Sequence, residues 1–240
     1  MAKPPPLRAA RAAEKRYTRQ LERIARQIGE FARAAASSPT PARLSRVASA
    51  LRSYREALAP WAQTAGERML AEVSASNLRE WRGRTELMGR SIREEIESAP
   101  TGEVMRLGLQ RQVDLITSLP IRAAERVQQL ATAALSNSER PAAIVERIME
   151  QGDVTAAQAR TIARTEVGRA QTELDRARAE SIGSEGYIWR TAQDVVVRDS
   201  HRKMNGKFVR WDSPPTLDGM VGHAGQLPNC RCYAEPVIPE

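Results

Sequence analysis

Up to Ser181 the apolar residues of this chain recur at steps of three and four, and after Gly183 they do not. A period near 3.6 needs helices that bury one face against each other, so most of the chain is constrained to helix packing. Tyr17, Leu21, Ile24, Ile28 and Phe31 form the first seam, which predicts a helix from Leu7 to about Ser37 behind a proline-led tail, Met1–Pro6. Ser37-Ser38-Pro39-Thr40-Pro41 breaks it, with Thr40 placed to cap a second helix and Pro41 at its first position. That helix carries Leu44, Val47, Leu51, Tyr54, Leu58 and Trp61, and Pro60 is expected to kink or end it. The two are expected to pair as an antiparallel hairpin. A third pattern follows from Ala62 to about Ile96, through Met69, Val73, Leu87, Met88 and Ile92, weakened by Gly83 and Gly89. Met105, Leu109, Val113 and Ile116 mark a short helix after Pro100-Thr101-Gly102. Ser118-Leu119-Pro120 opens another to about Leu135, with Ser136-Asn137-Ser138 as a link. Pro141 starts a helix to Glu150 that Gly152-Asp153 ends, and Thr155-Ala156-Ala157-Gln158 reads as a capping box opening a helix to about Ser181.

Beyond Gly183 the pattern turns to β. Tyr187–Thr191 and Val195–Arg198 are strand-like, and Asn205-Gly206 between Met204 and Phe208 reads as a two-residue hairpin turn. Residues 213–228 are expected to form a long loop and Cys230–Ile238 a last strand. The fold class that results is α+β, mostly helical. An N-terminal helical arm, residues 1–115, precedes a small α+β domain, residues 116–240, with a mainly antiparallel sheet.

Charge separates the two halves further. The 240 residues carry a net charge of +8, yet residues 1–60 hold 13 Lys and Arg against 4 Asp and Glu, so the remainder stands at −1. A basic arm of this kind suits an acidic partner, nucleic acid or an acidic protein surface, although a solvated helix rich in arginine has the same composition. Arg16, Arg19, Arg23, Arg26 and Arg33 are the candidate DNA contacts. The apolar seam of the arm is expected to lie on a partner helix or a second copy. No run of about 18 apolar residues is present, so no membrane span is expected. The N-terminus lacks the apolar core of a secretory signal, and two cysteines make a poor disulfide framework, which points to a reducing compartment.

Both histidines and both cysteines lie in the last 40 residues. His201, His223, Cys230 and Cys232 are the right donor types for tetrahedral zinc, and a long loop with little regular structure gains from such a staple. Cys-x-Cys is tighter than the usual knuckle, and buried thiols with hydrogen-bonded histidines fit the same string. His201 beside Asp199 and Ser200, with Asn205 and His223 downstream, superficially resembles a histidine-based, metal-dependent nuclease site. Neighbours on a strand face opposite ways, so Asp199-Ser200-His201 is not a triad. The plainer reading has Asp194, Arg198, Asp199 and His201 pinning strand to loop by hydrogen bonds. On the long helix, Glu166 and Arg169 can pair at i, i+3, whereas Arg164 and Glu166 do not share a face.

Three strings, taken in order, carry a resemblance: Ile162–Val167; Trp189-x-Thr191-x₂-Asp194-x₃-Arg198-x₂-His201-x₂-Met204-x-Gly206; and Pro228–Cys232. Over roughly Leu115 to Ile238 the chain resembles the phage minor head protein family typified by the F protein of phage Mu, also called the head morphogenesis family. The resemblance implies a minor capsid component of the virion, assembled in the host cytoplasm. Its implied partners are the portal and other head proteins, with double-stranded DNA bound without sequence preference. It implies a part for Arg164, Glu166, Asp194, Arg198, His201, Gly206, Cys230 and Cys232, and it carries no catalytic residues. A packaged effector enzyme or metal-dependent nuclease centred on the His/Cys segment is the alternative, and zinc the one cofactor the residues suggest.

Overall fold

The computed structural model describes residues 7–36, 39–86, 89–135 and 141–239. The tail Met1–Pro6, Ser37-Ser38, Leu87-Met88 and the Ser136-Asn137-Ser138 link lie outside the described residues. Five helices come first: α1 (Leu7–Ala36), α2 (Pro41–Arg84), α3 (Arg90–Ser98), α4 (Thr101–Leu135) and α5 (Pro141–Ser181). Then follow β1 (Gly186–Thr191), the short helix α6 (Asp199–Arg202), β2 (Phe208–Arg210), β3 (Thr216–Leu217), β4 (Met220–Val221) and β5 (Cys232–Pro236). The chain is mostly helical α+β, as its periodicity predicts. No helix is long and apolar enough to cross a membrane among the described residues.

The helices are fewer and longer than the breakers suggest. Pro60 sits inside α2 and Pro120 inside α4, so the second and third patterns are largely one helix, and so are the two patterns after Thr101. A proline removes one backbone donor and crowds the preceding turn, at a cost of about 3 kcal/mol. Hydroxyls join the backbone around both sites: Thr64 donates to the Pro60 carbonyl (3.2 Å), Thr117 to Val113 (2.8 Å) and Ser118 to Leu115 (2.7 Å). Burial of Leu58, Ala62, Ile116 and Leu119 on either side offsets the loss. The capping box at Thr155 does not form. Thr155 is buried mid-helix, donates to the Gln151 carbonyl (2.7 Å) and accepts from Arg126 Nη2 (3.3 Å). Gly152 does not end the helix; it lies inside α5 and packs on Gly29, whose Cβ, if present, would lie 3.5 Å from the Gly152 Cα.

By backbone contact the chain forms two compact units, and neither is continuous in sequence. One comprises residues 16–66 and 110–163, and its regular elements among the described residues are all helices. It buries the first seam: Tyr17, Leu21, Ile24 and Ile28 are buried, and the Phe31 ring lies tilted against Tyr54 with 5.6 Å between ring centroids. The seam expected to meet a partner is therefore covered within the chain. The Tyr17 hydroxyl donates to Gln112 Oε1 (2.8 Å), and Arg126 Nε to Gln151 Oε1 (2.5 Å). Arg16, Arg19, Arg23, Arg26 and Arg33 are all exposed. At 100° per residue they fall in one stripe roughly opposite the apolar seam.

The other unit comprises residues 1–15, 67–109 and 164–240 and holds all the strands. Its main sheet has the order β2-β1-β5, antiparallel throughout, with Trp189 opposite Ala234 and Tyr187 opposite Val209. Tyr187, Trp189 and Trp211 fill the core with Val209, Ala224, Leu227, Ala234, Trp81 and Ile96. The loop after Ser213 contains the hairpin β3–β4, whose Asp218-Gly219 turn has both φ angles positive, at 53° and 75°. This Asp-Gly signal marks a tight hairpin. Asn205-Gly206 does not join adjacent strands. It closes a turn in which Gly206 (φ 83°) donates to the Trp189 carbonyl (2.8 Å) and Asn205 Oδ1 accepts from the Thr191 amide (3.0 Å). Val195–Arg198 is not a strand: Val195 is 93% exposed, and Asp194 Oδ1 accepts from the Val196 amide (3.1 Å) in a local turn.

Candidate functional site

The C-terminal half of α5 is the platform of the site. Thr165 Oγ1 accepts from the Asn229 amide (3.1 Å), Arg169 Nη2 donates to the Gln226 carbonyl (3.1 Å) and the Thr172 hydroxyl to the Ala224 carbonyl (2.6 Å). The three contacts recur at steps of four and three, one helix face, and bind the segment that leads into Cys230. Buried Glu166 orients Arg169 through a 3.1 Å ion pair. Arg164 pairs with Glu14 (3.1 Å).

His201 arrives on α6, and Cys230 and Cys232 arrive at the start of β5. His201 Nδ1 lies 3.4 Å from Cys230 Sγ and 3.5 Å from Cys232 Sγ. All three side chains are buried, at 2%, 8% and 5% exposure. The His201 ring stands edge-on to Trp189, 5.7 Å between centroids. Its Nε2 faces Arg198 Nη1 (3.3 Å) and Asp218 Oδ2 (3.7 Å). Arg198 also donates to the Pro228 carbonyl and lies 3.5 Å from Asp218. Asp194 and Arg231 are joined by a 2.5 Å ion pair. Arginine and aspartate thus pin loop to loop, where the plainer sequence reading has them pin a strand to a loop. Asp199 is the exception: it is exposed and pairs loosely with Arg202 (3.8 Å). Asp199-Ser200-His201 is helical rather than extended.

The two thiols are coupled. Cys232 donates a hydrogen bond to Cys230, and that bond, with a second from His201, draws Cys230 down to about 4 against the penalty of burial. Cys232 is pushed up correspondingly, first because it supplies that bond.

His223 is not part of this cluster. It is buried against Tyr187 and Trp211, 5.6 and 5.7 Å between centroids. The Tyr187 hydroxyl accepts from the Ala224 amide (3.1 Å) and lies within hydrogen-bond distance of His223 Nδ1 (3.2 Å). Burial, then nearby Arg176, lowers its pKa below the usual imidazole value. Sequence spacing places both histidines in one segment and cannot say which side of the sheet each reaches.

A cleft of roughly 370 Å³ opens beside the cluster, lined by Arg164, Arg198, Arg231, His201, Asn229 and Cys230 among others. Asn229 holds a left-handed φ of 55°, which turns its amide toward α5.

A second polar group escaped sequence reasoning. Asp175 is fully buried and accepts at Oδ1 from Asn77 (2.8 Å) and Trp81 (2.9 Å), and at Oδ2 from Gln171 (3.3 Å). Arg178 donates to Asn77 Oδ1 (2.9 Å) and to the Ile96 carbonyl (2.5 Å). Burial raises the Asp175 pKa, and Glu80 beside it is pushed up to about 7, first by burial and then by Asp175. This network ties α2, α3 and α5 beneath the sheet.

Comparison with known proteins agrees with the motif strings. Minor head protein GP7 of Bacillus phage SPP1 is 26% identical over a 160-residue alignment that covers 59% of this chain and 51% of that protein. The chain therefore spans about half the length of the curated relative it matches. No solved structure matches. Residues 125–235, which hold α6, the strands and the His201–Cys230–Cys232 cluster, match the model of the Phage Mu protein F like family.

Proposed function

We propose that this chain is a phage minor head protein that works by binding. It docks on the portal and on neighbouring head proteins, assists head assembly and DNA packaging or delivery, and touches double-stranded DNA without sequence preference. The observation that carries this reading is the family match over residues 125–235, together with a relative named as a minor head protein. The exposed arginine stripe of α1 supports the DNA contact. With the apolar seam buried inside the chain, protein partners meet polar and charged faces of the helices, so docking is sensitive to salt as well.

Two assays test the two halves. Coexpression with the portal protein encoded by the same phage, followed by size exclusion, is expected to give a co-eluting complex, and separate elution at low salt would remove the portal half. Gel retardation of plasmid over a salt series is expected to show intact DNA released by salt, with a logarithmic slope of about −4 for four or five arginines. Replacing Arg16, Arg19, Arg23 and Arg26 by Gln is expected to flatten that slope. Binding that ignores salt would remove the DNA half. Nicking abolished by His201→Ala would replace the whole reading by an enzymatic one.

A further inference from the structure

We propose that His201 Nδ1, Cys230 Sγ and Cys232 Sγ hold one zinc ion, which ties α6 to β5. The inference stands on geometry and does not depend on the assembly reading. Zinc binds thiolate sulfur at about 2.3 Å and imidazole nitrogen at about 2.0–2.1 Å, and a tetrahedral angle then sets nitrogen and sulfur about 3.5 Å apart. The two distances here are 3.4 and 3.5 Å. Cys-x-Cys pairs seldom bridge each other, since the backbone geometry is strained, and both cysteines are free thiols. Two buried sulfurs aimed at one imidazole nitrogen are better matched to a shared cation than to each other.

The surroundings fit as well. A metal-binding histidine usually gives its second nitrogen to a carboxylate, which fixes the ring. Asp218 Oδ2 lies 3.7 Å from Nε2. Without metal, Arg198 donates to Nε2 and leaves the ring proton on Nδ1, facing the sulfurs. With metal on Nδ1 the neutral ring must carry its single N–H proton on Nε2 instead, where Asp218 is the acceptor, and the thiol protons are released as the ion binds. Trp189 sits diagonally from Cys232 across the β1–β5 ladder, and its buried indole N–H is directed at that sulfur. A metal-bound thiolate gives such a donor an acceptor. His201 and Cys230 line the cleft, so the fourth coordination position faces it, beside Arg164, Arg198 and Arg231. Water or a small anion completes the tetrahedron there.

The test uses the full chain. Purified from zinc-supplemented medium, it is expected to hold about one zinc per chain by elemental analysis, as a single tetrahedral site requires. Cobalt exchanged for zinc is expected to give intense tetrahedral d–d bands and thiolate-to-cobalt charge transfer in the near ultraviolet. His223→Ala is expected to keep the metal and the spectrum, whereas Cys230→Ser and Cys232→Ser each cut the charge transfer by about half or lose the metal. Asp218→Asn is expected to keep the site with affinity lowered roughly 10- to 100-fold. If the serine variants fail to fold, the wild-type cobalt spectrum and the His223→Ala result still decide. A well-folded chain with no stoichiometric zinc, whose melting and cobalt spectrum ignore added metal, would overturn the proposal. Loss of metal in His223→Ala alone would overturn the ligand set.

Discussion

Gly168 and Gly225 meet backbone to backbone: a Cβ on Gly168 would stand 2.7 Å from the Gly225 carbonyl oxygen. Gly225 itself adopts φ 89° and has the Thr172 hydroxyl 2.8 Å from where its own Cβ would be. The loop that delivers Cys230 can therefore lie on α5 only because neither residue has a side chain. Gly168→Ala is expected to destabilise by about 1–3 kcal/mol, because a backbone carbonyl cannot step aside. Gly29→Ala is the control. Its Cβ would sit 3.5 Å from Gly152 Cα, an ordinary contact, so the gain in helix propensity is expected to leave stability equal or up to about 1 kcal/mol higher. Urea unfolding of both variants measures this, and equal losses would show that the two close approaches are alike.

Asp175 organises three helices from a position without solvent. Asp175→Ala leaves the donors of Trp81, Asn77 and Gln171 without their acceptor and is expected to cost about 3 kcal/mol. Asp175→Asn keeps an acceptor for Trp81 and Asn77. Its new amide can donate to Gln171 Oε1, which has no partner, once the Gln171 amide turns over. The asparagine variant is therefore expected to lose less than half as much. Chemical denaturation of the two, side by side, decides, and an alanine no worse than asparagine would show the network contributes packing only.

Asn205 supplies Oδ1 to the Thr191 amide at 3.0 Å and lies 3.3 Å from its hydroxyl, where the chain leaves β1. Asn205→Ala is expected to cost about 1 kcal/mol, and Asn205→Asp, which keeps the acceptor, less. Thermal melts read the difference. An aspartate as damaging as alanine would mean that charge beside β1, rather than the lost bond, sets the cost.

The helical seam was legible because burial follows the same 3.6 period that the side chains do. Breakers misled because their cost is local while their compensation is not. Pro60 and Pro120 stay helical amid buried neighbours, and Gly152 stays helical where it packs on Gly29, 123 positions earlier in the sequence. Val195–Val197 looked like a strand because β-branched residues favour extended chain, yet the local turn at Asp194 and its bond to Arg231 govern that loop. The His/Cys cluster was legible in its residue types. Its membership was not, since only the fold places His223 beside Tyr187 and His201 beside the thiols. The Asp175 network left no trace in spacing because its donor Trp81 lies 94 positions away.

Glu80 links this buried network to pH. Its carboxyl is raised from 4.5 to about 7, by burial first and by Asp175 second. Between pH 4.5 and 7 the folded chain then holds a proton on Glu80 that the unfolded chain has released. Stability falls as pH rises wherever the folded state binds more protons, so this contribution is absent below about pH 4.5 and reaches its full penalty above about pH 7. Gln mimics the protonated form at every pH. Glu80→Gln is therefore expected to match the wild type near pH 4 and to exceed it by about 1 kcal/mol at pH 8, a figure discounted for partial exposure of the side chain. Urea midpoints of both proteins at the two pH values measure the difference. A constant gap between them would mean that Glu80 is ionised throughout, and that Arg79 and Arg84, the two cations acting on it, outweigh its burial.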